Sequence, residues 1–170
     1  MSLAIIVLIV YVPMLVEARR AAANERAQRR RGGIEPPGDV YRVMRIAYPG
    51  SFMAMIVERL VTGPVEEHVV VAGAVLFFAA KALKWWAIRT LGEAWTFRVI
   101  VVPGGRRITT GPYRLLQHPN YLGVLGELAG VALITGSSVC GPLVTLGFGI
   151  LILRRIAVES RALNVVLRRT

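Results

Sequence analysis

The chain has 170 residues, enough for one domain or one membrane bundle. At 55% hydrophobic residues and a mean hydropathy of +0.56, it is too apolar for an ordinary soluble domain of this size. The net charge of +11 comes almost wholly from arginines that flank apolar runs and do not interleave with exposed aromatics, which argues for membrane lipids as partners and against nucleic acid. A single cysteine, Cys140, excludes an intrachain disulfide. No Cys/His cluster has metal-ligand spacing, so no metal is expected.

Residues 3 to 16 form the first apolar run, interrupted by Pro13. It lacks the basic n-region and small-residue cleavage site of a signal peptide, so a short retained span over 3–18 is expected. The Ala-, Glu-, Gln- and Arg-rich stretch from Glu17 to Arg31 favours a helix on the lipid headgroups. Gly32-Gly33 stop that helix and Pro36-Pro37-Gly38 turn the chain. A second span is expected over 43–61, with Glu58 and Arg59 at the interface, and TGPVEEH forms a short acidic loop.

The third span, 69–88, closes on Lys81, Lys84, Trp85 and Trp86. Snorkelling lysines and interfacial tryptophans explain that ending; the alternative is that Lys81 or Trp85 faces a site. A long polar segment follows, with Trp95, Arg98, a β-like VIVVP run and the Gly104-Gly105 turn. Spans four and five are expected over 120–136 and 138–154, with an amphipathic basic tail over 155–170 on the membrane surface. Gly123, Gly126 and Gly130, with Gly141, Gly147 and Gly149, suggest that these last two spans form a close antiparallel pair.

The expected fold is therefore all-α, a single polytopic membrane bundle of about five transmembrane helices covering 1–170. Five spans place the Arg-rich segments 17–45, 87–118 and 154–170 on one side, which the positive-inside rule makes cytoplasmic, with the N-terminus outside. A re-entrant first run would leave four spans.

The stretch from Gly111 to Glu127, GPYRLLQHPNYLGVLGE, gathers versatile groups where the chain enters the fourth span. Pro119 suits the first position of a helix, and a helix start at the bilayer surface favours an anionic ligand group. We read it as the wall of a cofactor site. Tyr113, Tyr121 and Trp95 offer aromatic faces for a cation, while Gln117 and Asn120 offer hydrogen bonds. His118 is either a site residue or a helix-capping group. Glu127, an ionisable residue inside a span, is either functional or a paired carboxyl holding helices together.

The segment LGEAWTFRVIVVPGGRRITTGPYRLLQHPNYLG resembles the isoprenylcysteine carboxyl methyltransferase family, whose members read LG..WT.RV……GPYR..RHPNYLG here. The basic loop ARRAAANERAQRRRGGIE and the ending RIAVESRAL resemble that family's first loop and closing motif. The resemblance implies an integral membrane enzyme that uses S-adenosylmethionine and releases S-adenosylhomocysteine. Its acceptor would be a lipophilic or prenylated molecule arriving from the bilayer. Carried onto this sequence, Gln117, His118, Asn120, Tyr121 and Glu159 become cofactor contacts, with backbone from Pro119 and Leu122. Arg98, Arg114 and Glu127 lie nearer the acceptor as catalytic candidates. Two departures stand out: Gln117 replaces the usual Arg or Lys, and Ser160 replaces a second closing glutamate.

A carboxylate acceptor, as in an isoprenylcysteine, is already anionic and needs mainly positioning and desolvation. A lipid phenol or hydroxyl would need a base, His118 or Glu127. Two rival readings are an NADPH-dependent membrane reductase of the sterol type and a non-enzymatic scaffold packing through its small-residue faces.

Overall fold

The computed structural model describes residues 2–105 and 107–167, with side chains to Leu163. Its architecture is five helices joined by loops and two short 3-10 turns: α1 (Leu3–Arg30), α2 (Tyr41–Arg59), α3 (Glu67–Leu91), α4 (Pro119–Thr135) and α5 (Cys140–Leu167). The all-α expectation holds. Two helical segments, Glu67–Ala94 and Cys140–Leu163, are long and apolar enough to cross a membrane by length and composition. The 3-10 turns are Gly92–Ala94 and Gly111–Arg114. The β-like VIVVP run contributes one antiparallel bridge, between Val101 and Ile34, among the described residues.

Two expected boundaries dissolve. The first apolar run and the basic stretch are one 28-residue helix running through Pro13. Nothing between Val16 and Arg31 breaks a helix, and Ala, Glu and Arg propagate one well. At about 1.5 Å per residue α1 is longer than the ~30 Å hydrocarbon layer of a bilayer. It stops where expected: Arg31 is the C-cap and Gly32 takes φ +77°. Likewise α5 does not break before the tail but continues to Leu167, with Arg155 and Ala162 turned inward. Residues 168–170 of the expected tail lie outside the described residues.

The glycines of α4 do pack tightly, but against α3 and not α5. A Cβ on Gly130 would stand 2.8 Å from the Phe77 amide nitrogen, and one on Gly126 would stand 2.7 Å from Ala80 Cβ. Gly73 of α3 meets the Gly130 carbonyl in the same way, at 2.8 Å. Of the α5 glycines, Gly141 does close on α4, where a Cβ would stand 2.7 Å from Ala132 Cβ, whereas Gly147 has nothing within 4 Å and Gly149 only just touches Leu125. Removing the side chains lets two backbones approach closely enough to gain dispersion contacts along their length.

The core runs through the bundle from Ile6 and Val10 to Phe52, Met55, Phe77, Leu128 and Val131, all nearly inaccessible. Outside it, Leu8, Leu15, Ile46, Val75, Phe78, Leu146 and Leu153 are exposed. Large apolar side chains turned outward on four helices fit a lipid surrounding. Glu58, expected at the interface, is the remote cap of α5: it accepts from the Val139 and Cys140 amides at 3.0 and 2.8 Å and from the Ser137 hydroxyl.

Candidate functional site

The loops at the arginine-rich end are held by side chains of α1. Asn24 donates to the carbonyls of Gly92 and Trp95 at 2.9 and 2.7 Å, and Gln28 donates to that of Glu93 at 2.8 Å. The turn after α3 is thereby fixed on α1, which buries Trp95 beside Ala21 and Ile88. Arg98 is gripped by Glu35 at 2.7 Å and Glu25 at 3.2 Å, with its guanidinium 4.7 Å from the Tyr41 ring centroid. Arg29 joins the same two carboxylates from the outside. The α1–α2 loop therefore closes over the segment from Trp95 to Val101.

Beneath these loops lies a cavity of about 540 Å³, within the range of small-molecule sites. Its loop end is polar and aromatic: Trp95, Tyr113, His118, Asn120, Tyr121 and Glu159. Its deep end is apolar, between Met14 and Leu15 of α1, Met44 and Pro49 of α2, and Phe148 of α5. Tyr11 also lines this end and donates to the Pro49 carbonyl at 2.8 Å. Leu15, which lines this end, is 63% exposed.

The HPNY tetrapeptide starts α4 with Pro119 as its first residue, as expected. His118 and Tyr121 stack with ring centroids 5.6 Å apart, and the Trp95 indole N–H points to Asn120 Oδ1 at 3.4 Å. Tyr121 donates its hydroxyl to Glu159 at 2.8 Å and accepts from Arg155 Nε at 2.9 Å. The motif of α4 and the closing motif of α5 thus meet directly. Burial, with the Glu159 charge adding to it, pushes the Tyr113 phenol well above its ordinary range, so it stays a neutral donor.

Of the expected site residues, Arg98, Gln117, His118, Asn120, Tyr121 and Glu159 line this one cavity. Arg114, Pro119, Leu122 and Glu127 do not. Arg114 is exposed and Pro119 is buried under the loop. Leu122 is 52% exposed, and its amide is spent on the His118 carbonyl at 3.2 Å.

Glu127 belongs to a buried ionic cluster. Lys81 reaches it at 2.7 Å, Lys84 at 3.3 Å, and the Tyr48 hydroxyl donates to it at 2.6 Å. Glu17 of α1 completes the cluster, 2.7 Å from Lys84 and 3.4 Å from Lys81. The lysines expected to snorkel are instead folded inward: two cations balance two carboxylates, as burial requires. Glu17, Lys84 and Tyr48 also border the cavity, so the cluster forms part of its wall. Sequence reasoning passed over Glu17, Tyr48, Asp39 and Arg155. For Glu17 a signal existed, since it is a lone carboxylate set directly against the end of an apolar run.

No solved structure matches this chain. Uncharacterized protein YpbQ of Bacillus subtilis (strain 168) is 26% identical over 160 residues, covering 94% of this chain and 95% of the relative. The model of the isoprenylcysteine carboxyl methyltransferase family matches residues 69–165, more than half of the chain, from α3 through the HPNY turn and into the end of α5. Together with its apolar helices, that match makes the protein a membrane protein and a methyltransferase by family: the chain belongs to the isoprenylcysteine carboxyl methyltransferase family.

Proposed function

We propose that this protein transfers a methyl group from S-adenosylmethionine to the carboxylate of a lipophilic acceptor resembling an isoprenylcysteine. The observation that carries the reading is a single cavity with a polar aromatic end and an apolar end lined by α1, α2 and α5, the exposed Leu15 among its lining residues. The donor set suits such a cofactor. Trp95, Tyr113 and Tyr121 present π-faces to a cation, Glu159 supplies an opposite charge, and Asn120 and Gln117 supply hydrogen bonds. When bound, the cofactor supplies an electrophilic methyl on a sulfonium.

The protein's own part is positioning and exclusion of water. The apolar slot between Met14, Met44 and Phe148 desolvates and aligns the acceptor's tail. Arg98, already oriented by Glu25 and Glu35, faces the cavity with Arg45 and Arg107 and draws an anionic head toward the polar end. Holding both partners in one enclosed space converts an encounter into a unimolecular step, which suffices for an anionic nucleophile. Orientation follows from charge: the arginine-rich loops and the cofactor end face the cytoplasm, and the N-terminus lies outside.

A lipid phenol or hydroxyl is the second acceptor class. It is favoured by His118, an imidazole on the cavity wall that could take the proton, whereas Glu127 is enclosed by Lys81, Lys84 and Tyr48. Binding of S-adenosylhomocysteine to the purified protein in nanodiscs tests the cofactor, and preference for NADPH would overturn it in favour of a reductase. Methyl incorporation into a prenylcysteine analogue, measured beside a lipid phenol, then decides the acceptor.

A further inference from the structure

Arg155 and Glu159 stand four residues apart on α5, a spacing that brings an arginine and a carboxylate within reach of each other. No such pair forms. The Arg155 guanidinium instead turns to Asp39, donating from Nη1 to Oδ1 at 2.9 Å, while its Nε donates to the Tyr121 oxygen at 2.9 Å. Asp39 is itself buried, its side chain 4% exposed, and it arrives from the α1–α2 loop far away in sequence. It is held by two amides: Tyr41 N–H donates to Oδ1 at 3.1 Å and Val99 N–H donates to Oδ2 at 2.8 Å.

The direction of every proton in this chain is dictated. A guanidinium only donates, so the Tyr121 oxygen must accept from it. The one hydroxyl proton of Tyr121 is then free for Glu159 Oε2, at 2.8 Å. The carboxylate receives one neutral donor instead of a cation. Its charge stays available to the cavity that it lines.

We infer that Asp39 is a positioning residue: by neutralising and drawing away Arg155, it keeps Glu159 from being captured by its own helix neighbour and leaves that carboxylate for a cationic ligand. The inference rests on the reading that this cavity holds S-adenosylmethionine. Asp39 touches no cofactor in this scheme and acts through Arg155 and Tyr121. Arg155 has two faces in it. Held by Asp39 it orients Tyr121; released, it competes with the ligand for Glu159.

The test is S-adenosylhomocysteine affinity in nanodiscs for four variants, with thermal melting as the check on folding. Asp39→Asn, nearly isosteric, should weaken binding tenfold or more. Arg155→Gln, which removes the competing cation, should lose only two- to fivefold. The double variant Asp39→Asn/Arg155→Gln should bind like Arg155→Gln alone, recovering most of the Asp39→Asn loss. Arg155→Lys should be worse than Arg155→Gln, because a lysine cannot span Asp39 and Tyr121 but can still pair with Glu159. That inversion of the conservative order is one that a merely structural role does not produce, and it stands even if Asp39→Asn fails to fold. Losses that simply add in the double variant, or a lysine that binds as well as the glutamine, would overturn the inference while wild-type binding preserves the cofactor reading. A wild-type protein that melts normally and binds no S-adenosylhomocysteine overturns both.

Discussion

The ammonium of Lys84 lies 2.7 Å from Glu17 Oε2, and neither side chain is more than 3% exposed. This contact locks α3 to α1, and through Glu127 it extends to α4. Two buried ions of each sign have lost most of their hydration, so each holds its place only because its partners are present.

Removing one partner should therefore be costly. Lys84→Met is expected to destabilise the protein by about 3–5 kcal/mol, the usual consequence of leaving a buried charge unpaired. The paired variant Lys84→Met/Glu17→Gln should lose less than the sum of the two single changes, because it removes one charge of each sign. Thermal melting in nanodiscs measures both. Additive losses would show that the four groups are independent.

The α3–α4 seam gives a second prediction. Gly130→Ala places a methyl group 2.8 Å from the Phe77 backbone nitrogen, which cannot move without its helix. A loss of about 1–3 kcal/mol is expected, typical of overpacking. Gly147→Ala, with open space around it, should be neutral or slightly stabilising, since alanine favours a helix by up to ~1 kcal/mol over glycine. Melting of the two variants side by side decides whether the seam lies against α3.

Acid should loosen the loop over the site. Burial tends to raise the Glu35 carboxyl, but hydrogen bonds from Arg29 and Arg98 outweigh it and hold the group below its ordinary value of 4.5. A depressed folded-state value means that the stabilisation is fully present above the unfolded value. It is lost as pH falls through the folded one. The melting-temperature gap between wild type and Glu35→Gln should thus be constant at neutral pH and close below about pH 4.5. A gap unchanged down to pH 3 would mean that the Arg98 clamp adds nothing.

At the polar end of the cavity, His118→Ala and Glu159→Ala should each weaken S-adenosylhomocysteine binding, the latter by about 1.5–3 kcal/mol, as for a lost hydrogen bond to a charged group. Both should leave the melting temperature nearly unchanged, since neither side chain carries core packing. Normal binding by both variants would place the site elsewhere.

At the apolar end of the cavity Tyr11 donates its hydroxyl to the Pro49 carbonyl, joining two lining residues of α1 and α2. Tyr11→Ala is expected to deepen the slot and shift preference toward longer-tailed acceptors, whereas Tyr11→Phe should keep its depth. Relative methyl incorporation across S-alkyl cysteines of increasing chain length would reveal the shift, and an unchanged profile in Tyr11→Ala would remove Tyr11 from the floor.

Local features were legible in the sequence for local reasons. Five apolar runs give five helices, Gly32 stops α1 by taking a positive φ, and Pro119 opens α4 because its missing N–H is no loss there. Tyr113, Gln117, His118, Asn120 and Tyr121 line one cavity with Glu159, and within the first five the grouping is a property of one short segment. What a residue meets across the bundle is different. The glycines of α4 announced a close approach without naming α3, Lys84 looked like a snorkelling end until Glu17 and Glu127 enclosed it, and Arg155 was spaced to pair with Glu159 until Asp39 intervened. Hydrophobic periodicity records which face of a helix avoids water, but the partner on that face is chosen by charge balance and contact across distant segments, and only the folded chain brings those together.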